Sequence, residues 1–525
     1  MADSKKILKT ASFMVVATLL AKVFGLLREM FLASTFGTNY IADSFVAASN
    51  VPLTLFDMII GGVISSTFIP IFNEYLEKDK DKDEPKARAM RFANLYVNTI
   101  LLITFVITVL GVVFSKQLIS VLAPGLEGEA NALAVSLSMI LFPMLIFTGL
   151  AYSFVGILQS FGEYNIPSVI SLVSNGAIIA YFIVFSDKFG VYGLAVAMLI
   201  GWGLQALVQV PWLKKFGFSY RPMLSFRDDG IRSAARLALP MLVSTWVQPL
   251  CTLINTVLAS YASVSALNYA NKLYLIVTGV FSFVVTNLIF PMMSRASVAG
   301  KKDEVKEMTV TSLKSIAAII LPIMVIFFLM SGNITSIIYE RGEFNGKSVM
   351  LTAGALKYYS LGMLTYAFCE IMNKSFFAMH NSKTPMITSV SSIVVNIVLC
   401  VLFFSGFDMG LKGLALAAAL SSVVNAALLY FFLCRHYKKN GFGGKGVLSK
   451  SNILDIVKII ASAAVMAAVT YFVMRLLPDM NKYAAFLIPA VCGAVAYVIS
   501  CVVLRVDELS ILIGIFKKKG DNVER

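Results

Sequence analysis

Apolar residues in this chain come in blocks of about 20, rather than in the stripe of a soluble helix or the alternation of a half-buried strand. A block of that length crosses a bilayer core of about 30 Å as a helix. The blocks centre near residues 20, 57, 102, 145, 175, 202, 245, 280, 317, 365, 395, 422, 465 and 499. They predict an all-α polytopic membrane protein of about 14 transmembrane helices. Lys5, Lys6 and Lys9 precede an apolar run from Ala11 to Ala21, which imitates a signal peptide. No small-x-small cleavage site follows and the apolar stretch resumes after Lys22, so the pattern predicts an uncleaved first span.

Charge sits between alternate blocks. Basic residues crowd the stretches Glu74 to Arg91 (with Lys80 and Lys82), Lys214 to Arg236, Arg295 to Lys306, and Arg435 to Lys450 (with Lys445). The intervening loops offer only Lys116, Lys188, Arg341, Lys347, Lys412 and Lys482. The positive-inside rule then places both termini in the cytoplasm, in agreement with an even number of spans. This distribution explains the net charge of +15 without a nucleic-acid partner. Composition agrees, with 58% of residues hydrophobic and 14% charged, against roughly 25% charged in soluble domains.

The chain repeats itself. TFIPIF around Pro70 recurs as LIFPMM around Pro291, EYNIPSVIS at Pro167 as SKTPMITS at Pro385, and YGLAVAM at Gly193 as KGLALAA at Gly413, at offsets of 221, 218 and 220. Six spans separate the copies, so the halves share one topology and are expected to be related by an axis along the membrane normal. The expected organisation is an N-lobe of spans 1–6 (residues 1–220), a C-lobe of spans 7–12 (221–440), and spans 13 and 14 with a cytoplasmic tail (441–525). Two six-helix lobes facing one another would make a transporter-like cavity.

Polar positions inside the spans are the candidate site. In the second span Asp43, Asn50 and Asp57 fall seven apart and form one face with Ala47, Thr54 and Gly61, with Pro52 expected to bend the helix. The seventh span carries Ser244, Gln248, Thr252, Asn255 and Ala259 on one face, and the eighth carries Asn268 and Lys272 with Gly279, Ser282 and Thr286. Such residues also glue helices together, which is the plainer reading of each hydroxyl and amide. That reading suits Lys272 poorly. Lys22 lies roughly 22 Å into the first span, too deep for easy snorkelling. Arg28 is nearer the far face, where snorkelling or pairing with Glu29 competes with a cavity role. Lys22 and Arg28 stand about 120° apart on a straight helix and would converge only through a bend, for which Gly25 is the candidate. Lys374 and Glu370, four apart, read as a self-satisfied pair.

Covalent chemistry finds no support. Cys251, Cys369, Cys400, Cys434, Cys492 and Cys501 form no CxxC spacing, the two histidines are too few for a metal centre, and no nucleophile elbow or paired-carboxylate site occurs. GEFNGKS at Gly342 to Ser348 is one residue short of a phosphate-binding loop and reads as a turn. Fixed cations inside the spans call for an anionic substrate, with Arg suited to phosphate geometry and Lys acting as a point charge. Asp43 and Asp57 keep a cation exporter as an alternative.

The segments KVFGLLRE, FGTNYIADSFVAASNVP, SSTFIPIFNEY, LNYANKL and FFAMHNSKTP, in this order, resemble the MurJ/MviN family of bacterial lipid II flippases, within the multidrug/oligosaccharidyl-lipid/polysaccharide exporter superfamily. The resemblance runs through all fourteen spans. It implies two six-helix lobes around a cationic cavity, spans 13 and 14 forming a groove for a lipid tail, and movement of the undecaprenyl-pyrophosphate-linked peptidoglycan precursor to the outer leaflet by alternating access. Lys22, Arg28 and Lys272 then stand where the family has cavity arginines, and Asp43 matches a second-span aspartate. Phe56 replaces a further arginine of Gram-negative members. The sodium site of some members maps onto Asn255 and Asn396, with Cys400 where a carboxylate is expected. The reading expects no cofactor and no metal, with the membrane potential or a monovalent ion as the energy source. It further expects lipid II and membrane lipids as partners, a monomer in the bacterial cytoplasmic membrane, and no enzymatic activity. A flippase for another polyprenyl-pyrophosphate oligosaccharide, a cation or drug antiporter, and a non-transporting scaffold stay open as alternatives.

Overall fold

Every described element is helical, as the apolar blocks require: inside a membrane each backbone N–H and C=O must be satisfied within its own segment. The computed structural model describes residues 2–58, 63–78, 86–285, 289–439, 450–477 and 480–506. Within these, the side chains of 2–9, 11, 63, 65–66, 239–245, 247–248, 283–284 and 450–451 are excluded. Gly61, Lys80, Lys82, Lys445 and Thr286, and the side chains of Lys5, Lys6, Lys9, Ser244, Gln248 and Lys450, thus lie outside the described residues. The chain divides into two compact units: Met1–Ser265 with Arg341–Phe344, and Ala266–Glu340 with Asn345–Arg525.

The first unit contains α1 (Ala2–Phe36), α2 (Tyr40–Phe56), α3 (Val63–Lys78), α4 (Ala87–Val113), α5 (Ser115–Leu122), α6 (Gly128–Leu141), α7 (Met144–Ser160), α8 (Asn165–Val184), α9 (Ser186–Leu207), α10 (Val210–Lys215), α11 (Asp229–Thr245) and α12 (Val247–Ala259). Helix α1 packs on α8, α2 on α6, α4 on α7 and α8 on α9, while α11 and α12 lie against α3 and α2. Phe68 anchors an aromatic cluster, its ring 5.2, 5.5 and 5.0 Å from those of Phe72, Phe92 and Tyr96. Pro52 lies inside α2, and the α-helical geometry gives way to a wider π-type turn at Asp57 and Met58.

After α13 (Val264–Val284), whose first turn belongs to the first unit, the second unit contains α14 (Phe290–Val298), α15 (Lys302–Leu329), α16 (Ser331–Tyr339), α17 (Gly346–Ser360), α18 (Met363–Ala378), α19 (Lys383–Val401), α20 (Gly410–Lys439), α21 (Lys450–Leu476) and α22 (Lys482–Val503). Helices α19 and α20 pack together, as do α21 and α22, and α21 lies on α15. A buried ion pair joins the latter two: Lys314 Nζ lies 2.9 Å from Asp455 Oδ2, with Lys458 Nζ 3.6 Å from the other carboxylate oxygen. Helix α22 is tied to α15 as well, through the Tyr497 hydroxyl donating to the Ala318 carbonyl at 2.7 Å.

The duplication seen in the sequence is visible in backbone detail inside each unit. The turn after α7 has Gly162 at φ 77°, a 2.9 Å bond from the Glu163 N–H to the Leu158 carbonyl, and the Glu163 carboxylate accepting from the Asn165 N–H at 2.9 Å. The turn after α18, 218 residues on, has His380 at φ 56°, a 2.9 Å bond from the Asn381 N–H to the Phe376 carbonyl, and the Asn381 amide oxygen accepting from the Thr384 N–H at 3.2 Å. Both are helix stops of the six-to-one type followed at once by a capped helix start. Gly190 and Gly410, 220 apart, take φ 52° and 55°.

Among the described residues, nine helices are long and apolar enough to cross a membrane. Helices α2, α3, α12 and α18, with 17, 16, 13 and 16 residues, are shorter than that measure requires. Of these, α2 and α3 carry Pro52 and Pro70 in their interiors, and α2 and α12 carry two of the polar stripes. Outward-facing apolar side chains such as Val113, Phe472 and Val503, 64%, 64% and 73% exposed, suit contact with lipid tails.

Candidate functional site

Helix α1 runs through Gly25, the candidate bend, as an unbroken α-helix from Ala2 to Phe36. The two cations have different surroundings. Lys22 is half-buried and makes no hydrogen bond or ion pair among the described residues. Arg28 is engaged twice, Nη2 with Glu29 Oε1 at 2.6 Å and Nη1 with Asn175 Oδ1 of α8 at 3.1 Å. The Glu29 side chain is only 6% exposed, so this ion pair is largely withdrawn from solvent. An isolated charge there would be costly, and a paired one is tolerated.

Of the second-span stripe, Asp43 is a cap. It is buried, and its Oδ1 accepts from the Ser263 hydroxyl at 3.0 Å, the Ser265 N–H at 2.8 Å and the Ser265 hydroxyl at 2.6 Å. These donors open α13, so a carboxylate from α2 satisfies N–H groups that a helix start leaves free. Asn50 donates to the Thr256 hydroxyl of α12 at 3.2 Å. Asp57, at the end of the stripe, is exposed. Asn255 is half-buried on α12.

In the second unit Asn268 and Lys272 are half-buried, one turn apart on α13. Further along that helix, the Ser282 hydroxyl donates to Glu370 Oε2 of α18 at 3.0 Å. Glu370 and Lys374 do not pair. The Lys374 ammonium lies instead over the rings of Phe290 and Phe377, at 5.6 and 5.8 Å, where an aromatic face serves as its partner. Asn396 is buried, donating to the Ser421 hydroxyl at 3.3 Å and accepting from the Cys400 thiol at 3.7 Å. GEFNGKS is a turn: the Glu343 N–H donates to the Ser34 carbonyl, and the Asn345 side chain caps α17 by accepting from the N–H groups of Lys347 and Ser348. Among the described residues no cluster of His, Cys, Asp or Glu is arranged to hold a metal ion.

Sequence reasoning missed Asn175 and the Lys314–Asp455 pair. Each carried a signal, since a lone amide or an opposite-charge pair in apolar helices demands a partner.

A many-helix membrane fold built from a duplicated unit, with cations inside its spans, defines a polytopic membrane transporter. The family described as "Lipid II flippase MurJ" matches residues 32–491. The chain therefore belongs to the MurJ family. Similar proteins include the "Lipid II flippase MurJ" of Burkholderia cenocepacia, 27% identical with 79% of this chain and 81% of the relative covered. The "Probable lipid II flippase MurJ" of Buchnera aphidicola subsp. Baizongia pistaciae is 24% identical, with 91% and 92% covered. Among solved structures, "Lipid II flippase MurJ, inward closed conformation" superposes with a TM-score of 0.79 at 25% identity, covering 94% of this chain and 99% of that one. An inward-facing multidrug resistance MATE family transporter, at TM-score 0.64 and 15% identity over 80% of this chain and 95% of its own, shares the fold.

Proposed function

We propose that this protein moves lipid II, the undecaprenyl-pyrophosphate-linked peptidoglycan precursor, from the cytoplasmic to the outer leaflet of the bacterial cytoplasmic membrane by alternating access. Membership of the MurJ family supports the substrate. The observation that carries the chemistry is Lys22, a membrane-embedded ammonium with no protein counter-charge among the described residues. A cation left in that state is stabilised by an anion that the protein itself does not supply. Lys22, Arg28 and Lys272 are the cations read as pyrophosphate-binding. The chain acts as a transporter rather than a catalyst, as a monomer with both termini cytoplasmic.

Moving a doubly negative head group outward along a potential negative inside yields roughly 4 to 5 kcal/mol per 100 mV. That is an upper bound, reduced if cavity cations move with the substrate. The potential therefore biases direction without a cofactor. Asp43 and Asn396 already have protein partners, which favours an anion carrier over a cation antiporter.

The test exchanges Lys22, Arg28 and Lys272 for alanine in cells that depend on this protein, alongside a head-group accessibility assay for lipid II. Loss of growth and of outer-leaflet lipid II at normal protein levels is expected. Normal growth with all three exchanged overturns the reading.

A further inference from the structure

We infer that Asn175 is a positioning residue that keeps Arg28 open to phosphate by preventing it from closing onto Glu29. This rests on the proposed role of Arg28 in holding the pyrophosphate.

An arginine beside a carboxylate ordinarily forms a two-pronged pair, with both terminal nitrogens on the two oxygens, and so presents little to a third group. Here the fork is split. Nη2 bonds to Glu29 at 2.6 Å, while Nη1 is drawn to Asn175 Oδ1 at 3.1 Å. Of the five N–H donors of a guanidinium, three remain without a protein acceptor among the described residues. An amide oxygen orients the guanidinium without cancelling its charge, which a second carboxylate in this place would do.

Asn175 can hold this position because its helix is fixed from behind. Beside it, the Ser174 hydroxyl accepts from Gln205 of α9 at 2.7 Å. Gln209, one turn on, donates to the Gln205 carbonyl at 2.9 Å and to the Ala151 carbonyl of α7 at 3.0 Å. Gly201 lets α9 approach this turn, since a methyl there would meet the Ser174 carbonyl oxygen at 3.1 Å. In front, Gly25 lies one turn before Arg28 on α1, and a Cβ there would sit 3.9 Å from the Asn175 amide nitrogen. The Asn175 side chain is thus set against the turn of α1 that presents Arg28, and α7 and α9 hold its own helix in place.

The experiment measures binding of lipid II to the purified full-length protein in detergent micelles, with thermal stability recorded for each variant. Asn175→Ala is expected to weaken binding about five- to tenfold, as the loss of one charge-assisted hydrogen bond and its orientation implies. Adding Glu29→Gln should bring affinity back to within about twofold of Glu29→Gln alone, because the competing carboxylate is gone. Asn175→Asp, nearly isosteric, should weaken binding further than Asn175→Ala while leaving stability intact. In an Arg28→Ala background, Asn175→Ala should add nothing. If Arg28→Ala weakens binding but Asn175→Ala does not, the inference fails alone; the same holds if Glu29→Gln gives no rescue and Asn175→Asp binds like wild type. Wild-type binding by Arg28→Ala overturns the role proposed for Arg28, and this inference with it.

Discussion

Asp43 Oδ1 and Ser265 are joined twice, by the backbone N–H at 2.8 Å and the hydroxyl at 2.6 Å, so a carboxylate in the first turn of α2 closes the start of α13. Removing it leaves a buried N–H without an acceptor. Asp43→Ala should destabilise the protein by about 1 to 3 kcal/mol, and Asp43→Asn, which keeps an oxygen acceptor, by less. Thermal unfolding of the detergent-solubilised protein separates the two, and equal losses would assign the effect to charge alone.

Lys22 has the opposite character. Because no group among the described residues balances it, Lys22→Met should leave thermal stability unchanged or raise it while abolishing transport. Lys22→Arg should restore transport. A marked fall in melting temperature for Lys22→Met would show that the ammonium has a structural partner.

The Lys314–Asp455 pair binds α21 to α15 in a largely dehydrated place, with side chains 14% and 11% exposed. Asp455→Ala removes the carboxylate that Lys314 and Lys458 face and should cost about 3 to 5 kcal/mol, whereas replacing both Lys314 and Asp455 by apolar residues of similar size should recover most of it. Proteolytic sensitivity of the last two helices in the single and double variants reports the outcome.

Gly342 takes φ 55°, and a methyl on it would lie 2.2 Å from the Ser34 carbonyl oxygen. Gly37, facing it, takes φ 59°, and its methyl would meet the Glu343 carbonyl oxygen at 2.5 Å. Gly342→Ala should cost at least about 1 to 3 kcal/mol from backbone strain, with the collision added. Gly346→Ala, four residues on, meets nothing within 4 Å and serves as the stability control.

The prolines and glycines of the repeat were legible because a backbone requirement writes itself into residue type. Pro167 and Pro385 each stand third in their helices, and Gly193 and Gly413 each sit where a Cβ would come closer than 3.0 Å to a neighbouring side chain, that of Tyr181 or Phe403. Lys22 was legible for a different reason: burying an ammonium in a membrane span is so costly that its presence is informative wherever it occurs. The partners of charges were not legible in this way. Glu370 and Lys374 have the spacing of a helical ion pair, yet one is taken up by Ser282 and the other by two phenylalanine rings. Spacing along one helix says which side chains can meet, while neighbouring helices decide whether they do.

The sequence by itself determined that this is a duplicated, all-helical membrane protein with cations inside its spans. Hydrophobic length, charge asymmetry and repeat offset are properties of a one-dimensional string. Tertiary structure decided what each polar residue does. Asp43 became a cap when Ser265 came within reach, and Arg28 was split between Glu29 and an asparagine 147 residues away. Electrostatic and hydrogen-bond energies fall off within a few ångströms, so a residue's role is set by the atoms that packing places beside it.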